Sequence, residues 1–294
     1  MLGLLGKDET IKNVYRLARL HDAESTLTDF DSLRIGYLSL LAEKQSHMPV
    51  NFTPDPFIRD PAIESKLVAA FSRNVVLNDL HQEQVIAPAA DSIERDARLD
   101  RANKALEDLF SKDDDLRFVF ELVMHSIFCR PSNRTDLGQL AHGGTSSGAI
   151  GCTWLSLVDQ VSHNNLMEMY VHELTHNLLF IDELSFEQFD YDEIAKPENF
   201  ARSAILLKQR PLDKVIHSIV VSTEILMARQ SFLGCPDDLS VHPESDVLAH
   251  NALLAIDSLF ELENIKDITS ERLLDFANQC GEYCESISRR KLAQ

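Results

Sequence analysis

The chain has 294 residues, 44% of them hydrophobic and 26% charged, and a formal net charge of −19. Such an excess of acidic residues would repel a nucleic-acid backbone, so we do not expect nucleic acid as a ligand. The longest apolar runs, such as residues 216–221, are much shorter than the roughly 20 residues of a membrane span, and the first residues do not form a signal peptide. The five scattered cysteines are typical of a reducing compartment. We therefore expect a globular cytoplasmic protein that has no membrane partner.

Helical periodicity dominates residues 1–130, which we predict to be a helical N-terminal region. Three prolines within residues 48–57 prevent a helix there and predict an extended connection. The first predicted helix of this region begins near Asp8. Four further helices are predicted at residues 26–42, 63–71, 85–110 and 116–128.

The middle of the chain has a different composition. The glycine-rich residues 143–148 predict a surface loop, because they lack the Gly-Lys-Ser/Thr ending of a phosphate-binding loop. The apolar and β-branched residues 149–158 predict a strand. We therefore predict a mainly α fold of the α+β type, with a small sheet beside the helix that follows. Residues 131–294 would be a metal-binding region with C-terminal helices, packed with residues 1–130 as one compact unit.

A metal-binding motif follows the predicted strand. Residues 172–176 read His-Glu-Leu-Thr-His, which places two imidazoles four residues apart on one helix face, where they can bind one divalent ion. Asn165 is the predicted N-cap of this helix. Nearly all other residues from 167 to 181 are apolar, so the motif would be buried and would need the compensation that a metal ion provides. We predict that His172 and His176 are metal ligands.

A third ligand has three candidates in the sequence. Asp182 occupies the third-ligand position of the extended motif, but Leu179 replaces the glycine that turns the chain there, so the helix should continue. His217 and Glu224 lie on a second predicted helix, residues 210–225, where roughly 10 Å of helical rise separates them. Only one of the two could bind the ion. Glu224 would give a His-His-Glu site of the thermolysin type, and His217 would give an all-imidazole site.

The segment from the strand to the second helix resembles the HEXXH-motif peptide-modification proteins, described as α-ketoglutarate-dependent peptide β-hydroxylases. The resemblance depends on the strand, on the His-Glu-Leu-Thr-His helix, and on the Arg-Pro-Leu sequence at 210–212 that precedes Val215 and His217. It covers about residues 145–260, and its more specific part is the combination of Arg-Pro-Leu with His217.

The resemblance implies an oxidoreductase, a dioxygenase that hydroxylates a peptide or an amino-acid-like substrate with Fe(II) and α-ketoglutarate. The implied iron ligands are His172, His176 and His217. α-Ketoglutarate would occupy two further coordination positions and O₂ another. Its distal carboxylate would need a bidentate cation, for which Arg210 is the first choice and Arg202 and Arg229 are alternatives.

Two other interpretations remain open from the residues alone. In a zinc peptidase, Glu173 would be the general base that activates a Zn(II)-bound water, and either Glu224 or His217 would be the third ligand. The predicted strand at 149–158 could offer its edge to an extended peptide in either enzyme. In a non-catalytic helical adaptor, the motif would be a structural metal site. The sequence does not distinguish a peptide from a small-molecule substrate.

Overall fold

The computed structural model describes residues 3–71, 86–88, 92–133, 140–156, 158–236 and 238–292. Helices dominate these residues, and the strands form a three-stranded and a two-stranded sheet. This confirms the prediction of a mainly helical fold with a small sheet. The chain divides into a larger unit, Leu5–Ser185, and a smaller unit that combines Met1–Leu4 with Phe186–Gln294. Residue 130, where the sequence indicates a change of region, lies inside the larger unit.

The helices described in the larger unit are α1 (Lys7–His21), α2 (Phe30–Lys44), α3 (Pro61–Phe71), α4 (Ser92–Phe110), α5 (Asp114–Val123) and α6 (His163–Ser185). Asp29 caps α2 by accepting from the backbone N–H of Ser32, as helix N-termini prefer. The motif helix α6 begins earlier than predicted, because the Ser162 side chain accepts from the N–H of Asn165. Asn165 is therefore inside the helix and is not its N-cap. Part of the predicted helix at 85–110, residues 85 and 89–91, lies outside the described ranges.

The three-stranded sheet has the order β1-β3-β2, from β1 (Ser126–Cys129), β2 (Gly143–Gly144) and β3 (Cys152–Leu155). Strands β1 and β3 are parallel, and β2 is antiparallel to β3. The predicted helix at 116–128 is wrong in its last turn, because Met124 is extended and the buried residues after it pair with β3. The predicted loop at 143–148 likewise contributes a short strand. The predicted strand at 149–158 is confirmed in its centre, and its residue 157 lies outside the described residues.

The proline-rich connection is extended, as predicted, and lies beside the sheet. The N–H of Ile127 donates to the carbonyl of Pro56 at 2.7 Å, which adds Phe57 next to β1. Arg34 supports the connection by donating to the carbonyls of Phe52 and Thr53. Several backbone carbonyls of this segment are therefore satisfied without a helix.

The helices of the smaller unit are α7 (Tyr191–Ile194), α8 (Leu212–Ala228), α9 (Ser245–Phe260), α10 (Ile265–Ile268) and α11 (Glu271–Leu292). Helices α8, α9 and α11 pack against one another, and nearly every residue of α8 is buried. A hairpin of β4 (Ala201–Arg202) and β5 (Gln209–Arg210) precedes α8. Across the described residues, no helix is long and apolar enough to cross a membrane.

Candidate metal centre

Helix α6 exposes the motif histidines selectively. From Asn165 to Asp182 every residue is buried except His172 and His176, which keep partial access to solvent. The sequence predicted that both histidines would be buried, and the structure corrects this for the imidazoles but not for Glu173. An otherwise buried helix therefore opens at the two side chains that could bind a metal ion.

The two imidazoles have the geometry of a chelating pair. Their Nε2 atoms are 3.2 Å apart, and the ring centroids are 4.9 Å apart. An ion about 2.1 Å from both nitrogens, the usual metal–imidazole distance, would subtend roughly 100° across this separation, between the tetrahedral and octahedral angles. Phe180 stacks on the ring of His176 with an interplanar angle of 22° and so restricts its rotation. The donor atoms therefore fit one divalent ion.

Glu173 lies between the histidines in the sequence but is only 5% exposed. Burial raises the pKa of its carboxyl group to about 8, and a hydrogen bond with the Thr145 side chain opposes this rise. Within the described part of the chain, its Oε2 atom is buried and has no hydrogen-bond partner. A buried polar atom of this kind is uncommon in folded proteins and calls for a ligand or another explanation.

Asn177 fixes α6 against the start of β3. Its Oδ1 accepts from the N–H of Gly151 at 2.7 Å, and its Nδ2 donates to the Glu173 carbonyl at 2.9 Å. Gly151 has a φ of +82°, and a Cβ there would lie 2.5 Å from the ring of His125. Only glycine fits this position, so the backbone amide that holds Asn177 depends on it.

The structure tests two of the three candidates for a third ligand. Helix α6 continues past Leu179, as predicted, and Asp182 accepts a hydrogen bond from Asn13 at 2.8 Å in a fully buried setting. Both oxygens of Glu224 accept backbone N–H groups, from Gly3 at 2.8 and 2.9 Å and from Leu4 at 2.8 Å. These contacts give both carboxylates structural roles, which leaves His217 as the better candidate.

His217 lies on α8, in the smaller unit, and is 7% exposed. Burial, together with the positive charges of Lys214 and Arg210, lowers the pKa of its imidazole to about 3. His217 is therefore neutral, as a metal ligand must be. Among the residues that the structure describes, no group of three or more His, Cys, Asp and Glu side chains is arranged around one ion. His217 as the third ligand stays a prediction.

The three arginines considered for α-ketoglutarate have different surroundings. Arg229 donates to the Pro243 carbonyl at 2.8 Å, which gives it a structural role. Arg202 pairs with Gln209 and Arg210 with Ala201 across the hairpin, so these neighbouring register positions face opposite sides of the ribbon. Only Arg210 and not Arg202 acts electrostatically on His217. Arg210 is therefore the arginine with the environment that the prediction requires.

Sequence reasoning did not find Thr145, Asn177 or the Gly3–Leu4 backbone. Thr145 lies in a stretch with loop composition, and backbone donors have no sequence signal. Asn177 has a weak signal, since it is a polar residue inside an apolar helix.

Comparison with models of known protein families gives no match, and comparison with curated proteins gives none either. The function must therefore be argued from the residues of the site.

Proposed function

We propose that the chain is an Fe(II)- and α-ketoglutarate-dependent hydroxylase that acts on a peptide. The observation that supports the proposal is the combination of a buried imidazole, His217, with two cations, Lys214 and Arg210: burial lowers the pKa of His217 most, and the two positive charges also lower it. A dianionic cosubstrate would be attracted to such a site, whereas a zinc peptidase has no need of it.

In this proposal, His172 and His176 hold the metal ion and His217 is the third ligand. Bound to the ion, all three would be neutral imidazoles, a ligand type that suits iron and leaves the ion more positive than a carboxylate would. When bound, iron together with α-ketoglutarate and O₂ would supply the oxidising chemistry for hydroxylation of a C–H bond. The protein itself would orient the reactants.

Arg210 would bind the distal carboxylate of α-ketoglutarate. Its guanidinium can form two parallel hydrogen bonds to a carboxylate, which fixes orientation as well as charge. Lys214 forms an ion pair with Asp213 at 3.2 Å, so its charge is already partly compensated. The planar guanidinium of Arg210 would suit the second carboxylate better than the single-point charge of Lys214.

Glu173 would hold a bound ligand through its open oxygen. Hydroxylation needs no protein base to activate water, so a buried carboxyl group with a pKa above its usual range is compatible with this role. A hydrogen bond from or to Oε2 would orient the substrate or the cosubstrate and would satisfy the buried atom.

The edge of the sheet suggests a peptide as the substrate. Strand β3, which the sequence suggested as the free edge, is paired on both sides. The edge belongs to β2, whose outer side has no strand partner within the described ranges. An extended peptide could add to β2 through backbone hydrogen bonds, and β2 packs against α6.

The alternatives have less support. The thermolysin-type zinc peptidase would need Glu224 as a ligand, but both of its oxygens are engaged by Gly3 and Leu4. A structural metal site would be closed to solvent, whereas His172 and His176 are both accessible.

Anaerobic reconstitution with Fe(II) and α-ketoglutarate tests the proposal. We expect a weak visible charge-transfer band, and succinate formation after O₂ is admitted.

Arg210→Met should raise the KM for α-ketoglutarate at least tenfold, while Arg202→Met, on the opposite side of the hairpin, should change it little. Glu173→Gln should keep its metal and retain part of the turnover. Hydrolysis of peptides by the zinc protein, with no succinate from the iron protein, would establish the peptidase instead.

A further inference from the structure

We propose that Thr145 is a positioning residue for Glu173, an inference that rests on the proposed function. Thr145 is only 6% exposed, and its side chain forms a hydrogen bond with the Glu173 carboxyl group. The other oxygen of that group, Oε2, has no partner among the described residues. Thr145 therefore determines which oxygen is occupied and which is open to a ligand.

Close packing of the neighbouring strand holds the Thr145 hydroxyl in one position. Thr145 directly follows β2, whose Gly143 and Gly144 pair with Leu155 and Trp154 of the central strand. A Cβ at Gly143 would lie 2.6 Å from the Trp154 carbonyl oxygen and 3.4 Å from the side chain of Met169. Strand β2 therefore packs closely on β3 and on α6. Its contact on α6 is Met169, which lies one helical turn before Glu173.

The hydroxyl of Thr145 restricts the rotation of the Glu173 side chain, which lies between His172 and His176 in the motif. Glu173 directly follows His172 in the motif, and carboxylate oxygens are themselves metal ligands. Without its hydrogen bond to Thr145, the carboxyl group could adopt other rotamers and compete for a coordination position. Thr145 holds Glu173 in the orientation for hydrogen bonding to a bound ligand and keeps it away from the metal.

The location of Thr145 also connects Glu173 to the edge strand. A peptide that adds to β2 would form backbone hydrogen bonds within two residues of Thr145. Binding of the substrate would thereby stabilise the segment that orients Glu173. This link predicts that loss of the Thr145 hydroxyl affects turnover more than cosubstrate affinity.

The test compares Thr145→Val with Thr145→Ser and with the control Thr153→Val. Thr153 lies in β3, is fully buried, and its hydroxyl has no partner among the described residues, so the same substitution there removes no hydrogen bond. We expect Thr145→Val to lower kcat about tenfold with little change in the KM for α-ketoglutarate, the effect of losing one hydrogen bond. Thr145→Ser should restore most of the activity, and Thr153→Val should match the wild type.

A double-mutant cycle with Glu173→Gln decides whether Thr145 acts through Glu173. The double variant Thr145→Val/Glu173→Gln should be no worse than Glu173→Gln alone. Fully additive losses, or failure of serine to rescue, would overturn the inference. Thermal unfolding verifies that each variant is folded, and Thr145→Ala, which adds no methyl group, replaces the valine variant if that one does not fold.

A second readout separates this inference from the proposed function. Co(II) is titrated into each protein, and its visible absorption reports the number and type of ligands without any turnover. Thr145→Val should change this spectrum, and the change should vanish when Glu173 is also replaced by Gln. If the wild type makes no succinate but the spectra behave in this way, the proposed function fails and the role of Thr145 stands. Identical spectra for the wild type and Thr145→Val would refute the positioning role.

Discussion

Two buried glutamates, one in each unit, differ in how their carboxyl groups are satisfied. Glu224 on α8 is 2% exposed and accepts three hydrogen-bond contacts from the backbone of Gly3 and Leu4. Glu173 on α6 is 5% exposed, and among the residues that the structure describes only one oxygen of its carboxyl group has a hydrogen-bond partner. Both side chains would look alike in a sequence, as acidic residues within apolar helices. Full satisfaction indicates a role in stability, whereas the open oxygen indicates a ligand.

The largest expected effect is on the metal site of α6. His172→Ala and His176→Ala should each abolish stoichiometric binding of Zn(II) or Fe(II), because each removes half of the chelating pair. Metal content after dialysis measures this. His163→Ala is the matched control, since His163 lies in the first turn of the same helix and pairs with Asp108 at 2.8 Å. Equal metal content in all three variants would mean that the pair is structural.

Stability should depend on pH through His125, a buried group that is bonded on both ring nitrogens. Burial lowers its pKa to about 4, and the charge of Arg34 adds to this. The unfolded pKa is about 6.5, so the contribution of His125 is complete above that value and is lost as the pH falls from 6.5 to 4. The loss should be about 3 kcal/mol.

Urea unfolding at pH 7 and pH 4 measures this effect. Other groups titrate in the same interval, so the comparison is with His125→Gln, in which the pH dependence should be smaller by about 3 kcal/mol. An unchanged pH dependence in the variant would show that His125 does not titrate as a buried neutral group.

Replacement of each glutamate by glutamine tests the comparison directly. Glu224→Gln should lower the free energy of unfolding by about 2 kcal/mol, because the amide NH₂ group that replaces Oε2 is a donor and cannot accept from the N–H of Gly3. Glu173→Gln should change it by about 0.5 kcal/mol or less, since Oε2 has no bond to lose. Urea unfolding of the metal-free proteins gives both values. Equal losses would remove the distinction between the two side chains.

A smaller effect on stability is expected at Gly3, whose backbone N–H donates to the Glu224 carboxylate. A Cβ at this position would lie 2.1 Å from Met227 Sδ, the end of a flexible side chain, so Gly3→Ala should cost about 1 kcal/mol. Gly281→Ala is the control within the same unit, because its nearest neighbour would be Ile256 at 3.7 Å and alanine favours a helix. Chemical denaturation should show a lower free energy of unfolding for Gly3→Ala and a slightly higher one for Gly281→Ala.

The sequence predicted the elements that depend on local pattern. Helical periodicity located α1, α3 and α6, and the spacing of His172 and His176 predicted that their imidazoles lie side by side, as they do in the structure. The helix predicted to reach residue 128 failed because burial on both sides of β1 produces the same apolar run as a helix face. Pairing with β3 determines the outcome, and pairing between distant residues has no local signal.

The surroundings of the site were less predictable for the same reason. Thr145 is separated from Glu173 by 28 positions and Gly3 from Glu224 by 221. Neither contact follows from spacing on one helix. The placement of Arg202 and Arg210 on opposite sides of the ribbon likewise depends on the register of the hairpin, which the sequence does not show.

The bond between Glu224 and the first residues of the chain has a consequence for folding during synthesis. Gly3 and Leu4 are synthesised before the larger unit, but their acceptor Glu224 is synthesised 220 residues after Leu4, when the whole of the larger unit has been made. The larger unit can therefore fold before the smaller one is complete. During that time Gly3 and Leu4, which belong to the smaller unit, have no acceptor, because α8 is not yet made. A fragment that starts at residue 186 would contain Glu224 without its donors, so it should fold poorly unless a peptide corresponding to the first residues is added.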